Sequence, residues 1–456
     1  MKTAAEHILS RVPLPTAAGV ADALRALIDD GTLLPGDILP TVRELASELS
    51  MSPTTVHEAW KDLRTGGYIT TDGRRGTYVL SANGIISPRS YRTFNTWRQK
   101  GTEPMRLDLS TGAPDTALLP SFDLVRDLSS VLVQSNYHEY LVAPELESAL
   151  RDTWGTAYVP PALTVVDGSL DALDRILTAI VNPGDFVLID DPTFPPIRHI
   201  LDFLGARVVP IPLDASGPRP AEVRVALERR PTAYVFQPRA QNPTGVAITA
   251  ERRDVLAGII TGSDMVVIEE DSAGDVSDAP LVTLAGHLPE QVVRIHGFSK
   301  SHGPDLRLAA VGGSAELIQH LVTRRYMGSA WSSRILQVML ARLLTNPEAS
   351  ETLRRARQIY RERRVAFVDA LAAHGIRTIG DDGFNVWVPV VDEQLTAVSL
   401  AMDGIGVATG SAFQVSGSSS AFCRVTTSAL PVEQAHHIAG LIAHTAQPLQ
   451  SSRLTN

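Results

Sequence analysis

Four short clusters in the second half of the chain carry groups able to do chemistry. Asp167-Gly168-Ser169 stands at the head of a helical stretch, Leu170 to Val181, so its backbone amides and the Ser169 hydroxyl form a seat for an anion. Asn242-Pro243-Thr244-Gly245 follows an apolar run ending near Phe236, and Asp271 closes the run Met265 to Ile268 after Glu269 and Glu270. Gly297-Phe298-Ser299-Lys300-Ser301 follows Val292 to Ile295, with Arg307 seven residues beyond the lysine. An amine, a carboxylate, an amide and an anion seat thus fall at the ends of strands, where open α/β sheets bind ligands. Singly, a Gly-Ser turn, an Asn-Pro turn, an acidic strand end or a lysine is more often structural. Their joint order is what points to a site.

The elements that must position these groups are legible in the same stretch. Short apolar runs (Val187 to Ile189, Ala233 to Phe236, Met265 to Ile268, Val292 to Ile295, Leu308 to Val311) alternate with helical segments from about residue 106 onward. Runs buried on both faces and separated by helices predict a mainly parallel α/β sheet.

The first eighty residues read differently. Val20, Leu24, Leu27 and Ile28 make one apolar helical stripe, ended by Gly31. Thr41 and Glu44 form a capping box that opens a second helix, with Val42, Leu45, Ala46 and Leu49 inward. Ser52 suits the N-cap and Pro53 the first position of a third helix, whose buried stripe is Val56, Ala59, Trp60 and Leu63. Thr54, Thr55, His57, Glu58 and Lys61 then point away from the core. Two helices joined by a three-residue turn make a helix-turn-helix. Tyr68 to Thr71 and Thr77 to Leu80 flank Asp72-Gly73-Arg74-Arg75-Gly76, a hairpin with two arginines at its tip. Short hydroxyl side chains, helix N-terminal amides and a two-arginine wing suit phosphates and a groove of DNA.

Length and composition set the bounds. With 456 residues, the chain exceeds what one core supports, so two or more domains are expected. The composition, 44% hydrophobic and 20% charged, is that of an ordinary soluble protein. No apolar run of membrane-spanning length and no signal-peptide pattern is present, so a cytoplasmic location is expected. The single cysteine, Cys423, excludes an intrachain disulfide and an all-cysteine zinc site, and no metal site is expected. A net charge of -9 excludes a global basic field as the attraction for nucleic acid, so any DNA contact must be local. Residues 81–105 mix Ser, Asn, Gly and Pro with Tyr91, Phe94, Trp97 and Lys100 and read as a linker.

Residues 14–80 closely resemble the GntR-family winged helix. The resemblance is carried by Gly31-Thr-Leu-Leu-Pro-Gly-Asp-Ile-Leu-Pro-Thr-Val-Arg43-Glu-Leu-Ala, Met51-Ser-Pro-Thr-Thr-Val56, Gly66-Gly-Tyr and Arg75-Gly-Thr-Tyr-Val79. It implies a DNA-facing set of Arg43, Ser52, Thr54, Thr55, His57, Lys61, Arg74, Arg75 and Gly76. Many relatives carry Arg where this chain has Pro53, which implies a different operator.

Residues 106–446 resemble the fold-type I, class I aminotransferase domain, which binds pyridoxal 5'-phosphate (PLP). By that resemblance Lys300 would form the Schiff base with the cofactor aldehyde, Asp271 would meet the pyridine nitrogen, and Asn242 the phenolic oxygen. Phe194 would stack on the ring. Gly168, Ser169, Ser299 and Arg307 would hold the phosphate. Tyr137 would reach across a homodimer, and Arg424, in Phe422-Cys423-Arg424-Val425, would clamp a ligand carboxylate. The chain departs from the family at Leu170, at Gly297 and at Ser272-Ala273-Gly274, each of which removes a cofactor hydrogen bond.

End to end the chain resembles the MocR subfamily of regulators. The expected organisation is a winged helix-turn-helix with a small β wing (12–80), a linker (81–105), a PLP-binding domain of aminotransferase fold (106–446) and a disordered tail (447–456). The expected function is a homodimeric DNA-binding transcription regulator that senses PLP, an amine or an amino acid. Pro196 stands where relatives that bind GABA carry an arginine, which favours PLP itself as the signal. A catalytically active aminotransferase with an appended DNA-binding domain is the other expectation.

Overall fold

The computed structural model describes residues 4–12, 16–30, 32–34, 36–65, 68–72, 76–79, 105–125, 140–154, 158–417 and 420–445. Two compact units, residues 1–95 and 96–456, make up the chain.

In the first unit, helices α1 (Ala4–Arg11) and α2 (Ala17–Asp29) precede strand β1 (Ile38–Leu39), helices α3 (Val42–Glu48) and α4 (Pro53–Thr65), and strands β2 (Ile69–Asp72) and β3 (Gly76–Val79). The apolar stripes do what their spacing requires. Val20, Leu24 and Leu27 from α2 meet Leu45 from α3 and Val56, Trp60 and Leu63 from α4 in one core. Each buried Leu or Val contributes roughly 1.5–3 kcal/mol, which holds a seven-residue helix such as α3 that could not persist alone. The start of α3 is fixed by its capping box: the Thr41 N–H donates to Glu44 Oε2 (2.8 Å) and the Glu44 N–H to Thr41 Oγ1 (3.2 Å). At the start of α4, Ser52 Oγ accepts from the Thr55 N–H (3.1 Å), with Pro53 in the first turn. β3 pairs antiparallel with both β1 and β2.

The second unit runs β4 (Leu107–Asp108), α5 (Pro144–Trp154), β5 (Ala162–Val166), α6 (Ser169–Ile180), β6 (Phe186–Asp191), α7 (Pro195–Phe203), β7 (Arg207–Asp214), β8 (Gly217–Pro218), α8 (Pro220–Leu227), β9 (Ala233–Phe236), α9 (Ala250–Ile260), β10 (Val266–Asp271), β11 (Val292–Gly297) and β12 (Ala309–Gly313). Strands β5 to β12 form one sheet in the order β5-β12-β11-β10-β9-β6-β7-β8, and β4 pairs elsewhere. From β7 through β11 the pairs are parallel, β12 runs against both its neighbours, and β8 folds back on β7. The sheet is therefore mainly parallel, and its strands alternate between two apolar cores because side chains change face at every residue. Ile189, Val235, Ile268 and Ile295 pack under α6 and α7. Leu188, Tyr234, Val267 and Val292 pack on the other side with α8 and α9.

Beyond the sheet, α10 (Ala315–Arg325), α11 (Arg334–Thr345) and the long α12 (Pro347–Ala373) lead to a smaller antiparallel sheet. It is built from β13 (Asn385–Val390), β15 (Ala408–Thr409) and β16 (Ala421–Thr426), with α13 (Glu393–Met402), β14 (Ile405–Gly406) and α14 (Ala435–Thr445) around it. Cys423 is buried in that core.

Candidate cofactor site and DNA-binding face

The site is assembled at the C-terminal ends of β5, β9, β10 and β11. Gly168 is the N-cap of α6 in a left-handed conformation (φ 108°), and no side chain caps the helix, so its first amides are open to an anion. The Arg307 guanidinium lies over this turn: a Cβ on Gly168 would come within 2.9 Å of Arg307 Nη2. Arg307 itself takes a left-handed conformation (φ 45°), rare for a residue with a side chain. Ser169 Oγ fills the space where a Cβ on Gly297 would fall, which accounts for glycine at 297. Arg307 therefore lies over the turn that Gly168 and Ser169 make at the start of α6. Ser299 is half-buried immediately before Lys300.

Lys300 is half-buried, its Nζ 3.5 Å from Ser272 Oγ and 5.7 Å from the centre of the Phe384 ring. Burial pushes the amine below its ordinary pKa, opposed by the nearby Glu270 carboxylate. A lysine drawn toward its neutral form is what capture of an aldehyde requires.

Asn242 is buried. Its N–H donates to Gln237 Oε1 (2.8 Å), and its Oδ1 accepts from Arg424 Nη1 (3.1 Å). Arg424 also donates to the Ser110 carbonyl and lies 4.8 Å from the Phe413 ring centre. Its Nε has no partner among the described residues, and burial pushes its pKa down to about 10. Gly112 lets this guanidinium approach the chain, since a Cβ there would stand 3.1 Å from Nη1. Phe194 is half-buried at the N-cap of α7. Tyr137 lies outside the described residues.

Asp271 is bonded to protein partners on every side. Its oxygens accept from Arg239 Nε (3.0 Å) and Nη2 (2.8 Å), from Arg294 Nη2 (2.8 Å) and from the Gly274 N–H (3.1 Å). Burial alone would raise its pKa, but Arg239 and Arg294 outweigh that and hold the carboxyl well below the usual range. The physical reason is the period of two along β10. Glu269 and Asp271 stand beside Arg294 and His296 of β11, whereas Glu270 is in register with Ile295, on the face under α6. Of the two carboxylates that favour the charged form of Lys300, Glu270 acts more strongly than Asp271, and it accepts from Gln237 Nε2 (2.5 Å). Sequence reasoning missed Glu270, Gln237 and Phe384. Only the alternation along the strand, combined with knowledge of which face α6 covers, singles out Glu270.

On the first unit, Arg43, Ser52, Thr54, His57 and Lys61 are exposed. Thr55 is half-buried, and its hydroxyl lies 2.8 Å from Ser52 Oγ, so part of its hydrogen-bonding capacity serves the start of α4. Gly76 opens β3 with a left-handed conformation (φ 105°). Arg74 and Arg75 lie outside the described residues.

Helix-turn-helix, antiparallel wing and aminotransferase-type sheet define a class of protein, and comparison with known proteins agrees. The family described as bacterial regulatory proteins, gntR family, matches residues 16–79, and aminotransferase class I and II matches residues 105–442. The chain belongs to the GntR-type regulators fused to an aminotransferase domain, the MocR subfamily. It is 34% identical over 421 residues, 91% of this chain and 95% of the relative, to the vitamin B6 salvage pathway transcriptional repressor PtsJ of Salmonella typhimurium. It is 26% identical over 366 residues, 79% of each chain, to the pyridoxine biosynthesis transcriptional regulator PdxR of Corynebacterium glutamicum. Its fold is similar to that of kynurenine aminotransferase from Pyrococcus horikoshii, with a TM-score of 0.71 at 20% identity, covering 80% of this chain and 96% of that one.

The protein is a DNA-binding transcription regulator with an aminotransferase-like domain, and the cofactor of such a domain is PLP. The residues present fit it: an open helix N-terminus with an arginine over it suits a phosphate, and a half-buried lysine of lowered pKa suits an aldehyde. Among the described residues, no helix is long and apolar enough to cross a membrane.

Proposed function

We propose that the chain is a cytoplasmic, homodimeric regulator whose grip on DNA is set by PLP, alone or together with an amino compound. The observation that carries this reading is that Ser272 lies beside the Lys300 amine and, with Ser169, beside Gly297, which draws the lysine and the Gly168-Ser169 turn into one region of a chain that also carries a winged helix. The similarity to relatives named for vitamin B6 salvage and pyridoxine biosynthesis favours PLP itself as signal. We divide the chain into a DNA-binding domain (12–80), a linker (81–105), a sensor domain (106–446) and a tail (447–456).

Bound PLP would supply an aldehyde and an electron-withdrawing ring. Gly168, Ser169, Ser299 and Arg307 would hold its phosphate, because backbone amides and a guanidinium together offer several charge-assisted donors. Lys300 Nζ, whose proton affinity burial lowers, would hold the cofactor at its aldehyde end. Phe194 would cover the ring face, Asn242 would donate from its side-chain amide to the ring hydroxyl, and Tyr137 would reach the site from the second copy. Arg424, bonded to Asn242 and Ser110 without a ligand, would turn to a carboxylate when an amino acid arrives. A ligand that favours one of two dimer arrangements then changes DNA affinity by its differential affinity for them. Arg43, Ser52, Thr54, Thr55, His57, Lys61, Arg74, Arg75 and Gly76 would form the DNA-facing set.

Lys300→Ala should abolish the response of DNA binding to PLP while leaving the winged helix folded. A variant that still responded would show that covalent capture is unnecessary. A working aminotransferase is the second reading, favoured by the intact Lys300, Asn242 and Arg424 set. Sustained transamination with an amino donor and a keto acid would establish it; a single half-reaction would not.

A further inference from the structure

Three acids in succession, Glu269, Glu270 and Asp271, end β10, and each has a different environment. Glu269 accepts from Thr283 Oγ1 (2.6 Å) and the Leu284 N–H (2.7 Å). Asp271 is saturated by Arg239, Arg294 and Gly274. Both stand on the face of the sheet away from α6. Glu270 alone stands on the α6 face, 3% exposed, with Lys300, Gln237 and Ser272 as its polar neighbours.

The orientation of Gln237 is fixed by what it touches. Its Oε1 must accept from the Asn242 N–H (2.8 Å), because a backbone N–H can only donate. Its Nε2 is therefore turned to Glu270 Oε2 (2.5 Å) and Ser272 Oγ (3.4 Å). One amide thus ties the carboxyl of β10 to the loop that carries Asn242, and the Ser272 hydroxyl is the other neutral partner of Glu270.

We propose that Glu270, held in place by Gln237, is the carboxyl group that meets the ring nitrogen of the cofactor, and that Asp271 is a structural anchor on the opposite face of the sheet. This rests on the reading that PLP binds at Lys300. The partner of the ring nitrogen is consequently backed by a neutral amide and a hydroxyl, while Arg239 and Arg294 are spent on Asp271. Burial raises the proton affinity of Glu270, opposed by Gln237 and Lys300. The proton between carboxyl and ring nitrogen is then shared more evenly than it would be next to a guanidinium-backed carboxylate, and the ring withdraws electrons less strongly. Lys300 and Asp271 are the charged groups that bear on Glu270, the first favouring its ionised form and the second opposing it. Gln237 is a positioning residue: it acts through Glu270.

The test is PLP titration of the full-length protein, followed by the absorbance of the bound cofactor across pH, for wild type, E270Q, E270D, Q237L and D271N. Thermal unfolding of each is measured alongside. E270Q is expected to shift the cofactor band and weaken binding by about 10- to 100-fold, the effect of losing a hydrogen bond to a charged group. E270D should restore part of both. Q237L should move the pH at which the band titrates. D271N should lower the unfolding temperature, since it leaves Arg239 and Arg294 without their counter-charge, yet keep the wild-type band in its folded fraction. A band that responds to D271N and not to E270Q would overturn the assignment alone. Absence of any cofactor band in the wild type would overturn the cofactor reading and the assignment together.

Discussion

Asp190 shows how burial sets the chemistry of single groups around this site. It is fully enclosed beneath the β6 and β9 ends, accepts from the Tyr234 hydroxyl (3.0 Å) and the Gln237 N–H (3.3 Å), and burial pushes its pKa from 3.8 to about 8. A carboxyl whose folded pKa lies above its unfolded value binds its proton more tightly in the native state. Its contribution to stability is complete below pH 3.8 and is lost as pH rises through about 8. Glu269, raised by burial to about 7, acts in the same direction. Below pH 6.5 the buried His302 and His199, whose pKa values burial lowers, act the other way, so the unfolding temperature should fall as pH rises from 6.5 to 8, and D190N, whose amide oxygen can still accept from Tyr234, should flatten that fall. An unchanged slope in D190N would show that Asp190 is ionised throughout.

At the level of elements, two helix N-termini do opposite work. That of α3 is closed by the Thr41–Glu44 box. Thr41→Ala should cost the first unit about 1 kcal/mol, a drop of roughly 4–8 °C in a domain of this size, read by calorimetry. That of α6 is left open. Gly168→Ala would place a methyl group 2.9 Å from Arg307 Nη2 at a φ of 108°, so PLP affinity should fall by more than the unfolding temperature does. An equal affinity for PLP would remove that turn from the site. The helices and the parallel sheet were legible in the sequence because caps, stripes and β-branched runs are local signals. The roles proposed for Lys300, Arg307, Asn242 and Arg424 come from resemblance, not from local pattern. The part of Glu270 was not, because alternation separates it from Asp271 without saying which face the ligand takes. Gln237 was hidden for another reason: its partners lie five and 33 positions away and leave no local pattern.

For the whole molecule, the net charge of -9 means that DNA is held by a few local cations. Salt dependence of binding should accordingly reflect a handful of phosphate contacts, with a log–log slope of about -0.9 per contact. Arg43→Ala should weaken binding to all sequences and lower that slope by about one. The aminotransferase-like domain is proposed to govern the winged helix through a ligand captured at Lys300. This is tested most directly by fluorescence anisotropy of the full-length protein on DNA from its own upstream region, at fixed ionic strength, with and without PLP, for wild type and K300A. Sequence-selective binding that PLP changes in the wild type and leaves unchanged in K300A is expected. Selective binding that responds equally in both, or in neither, would contradict it.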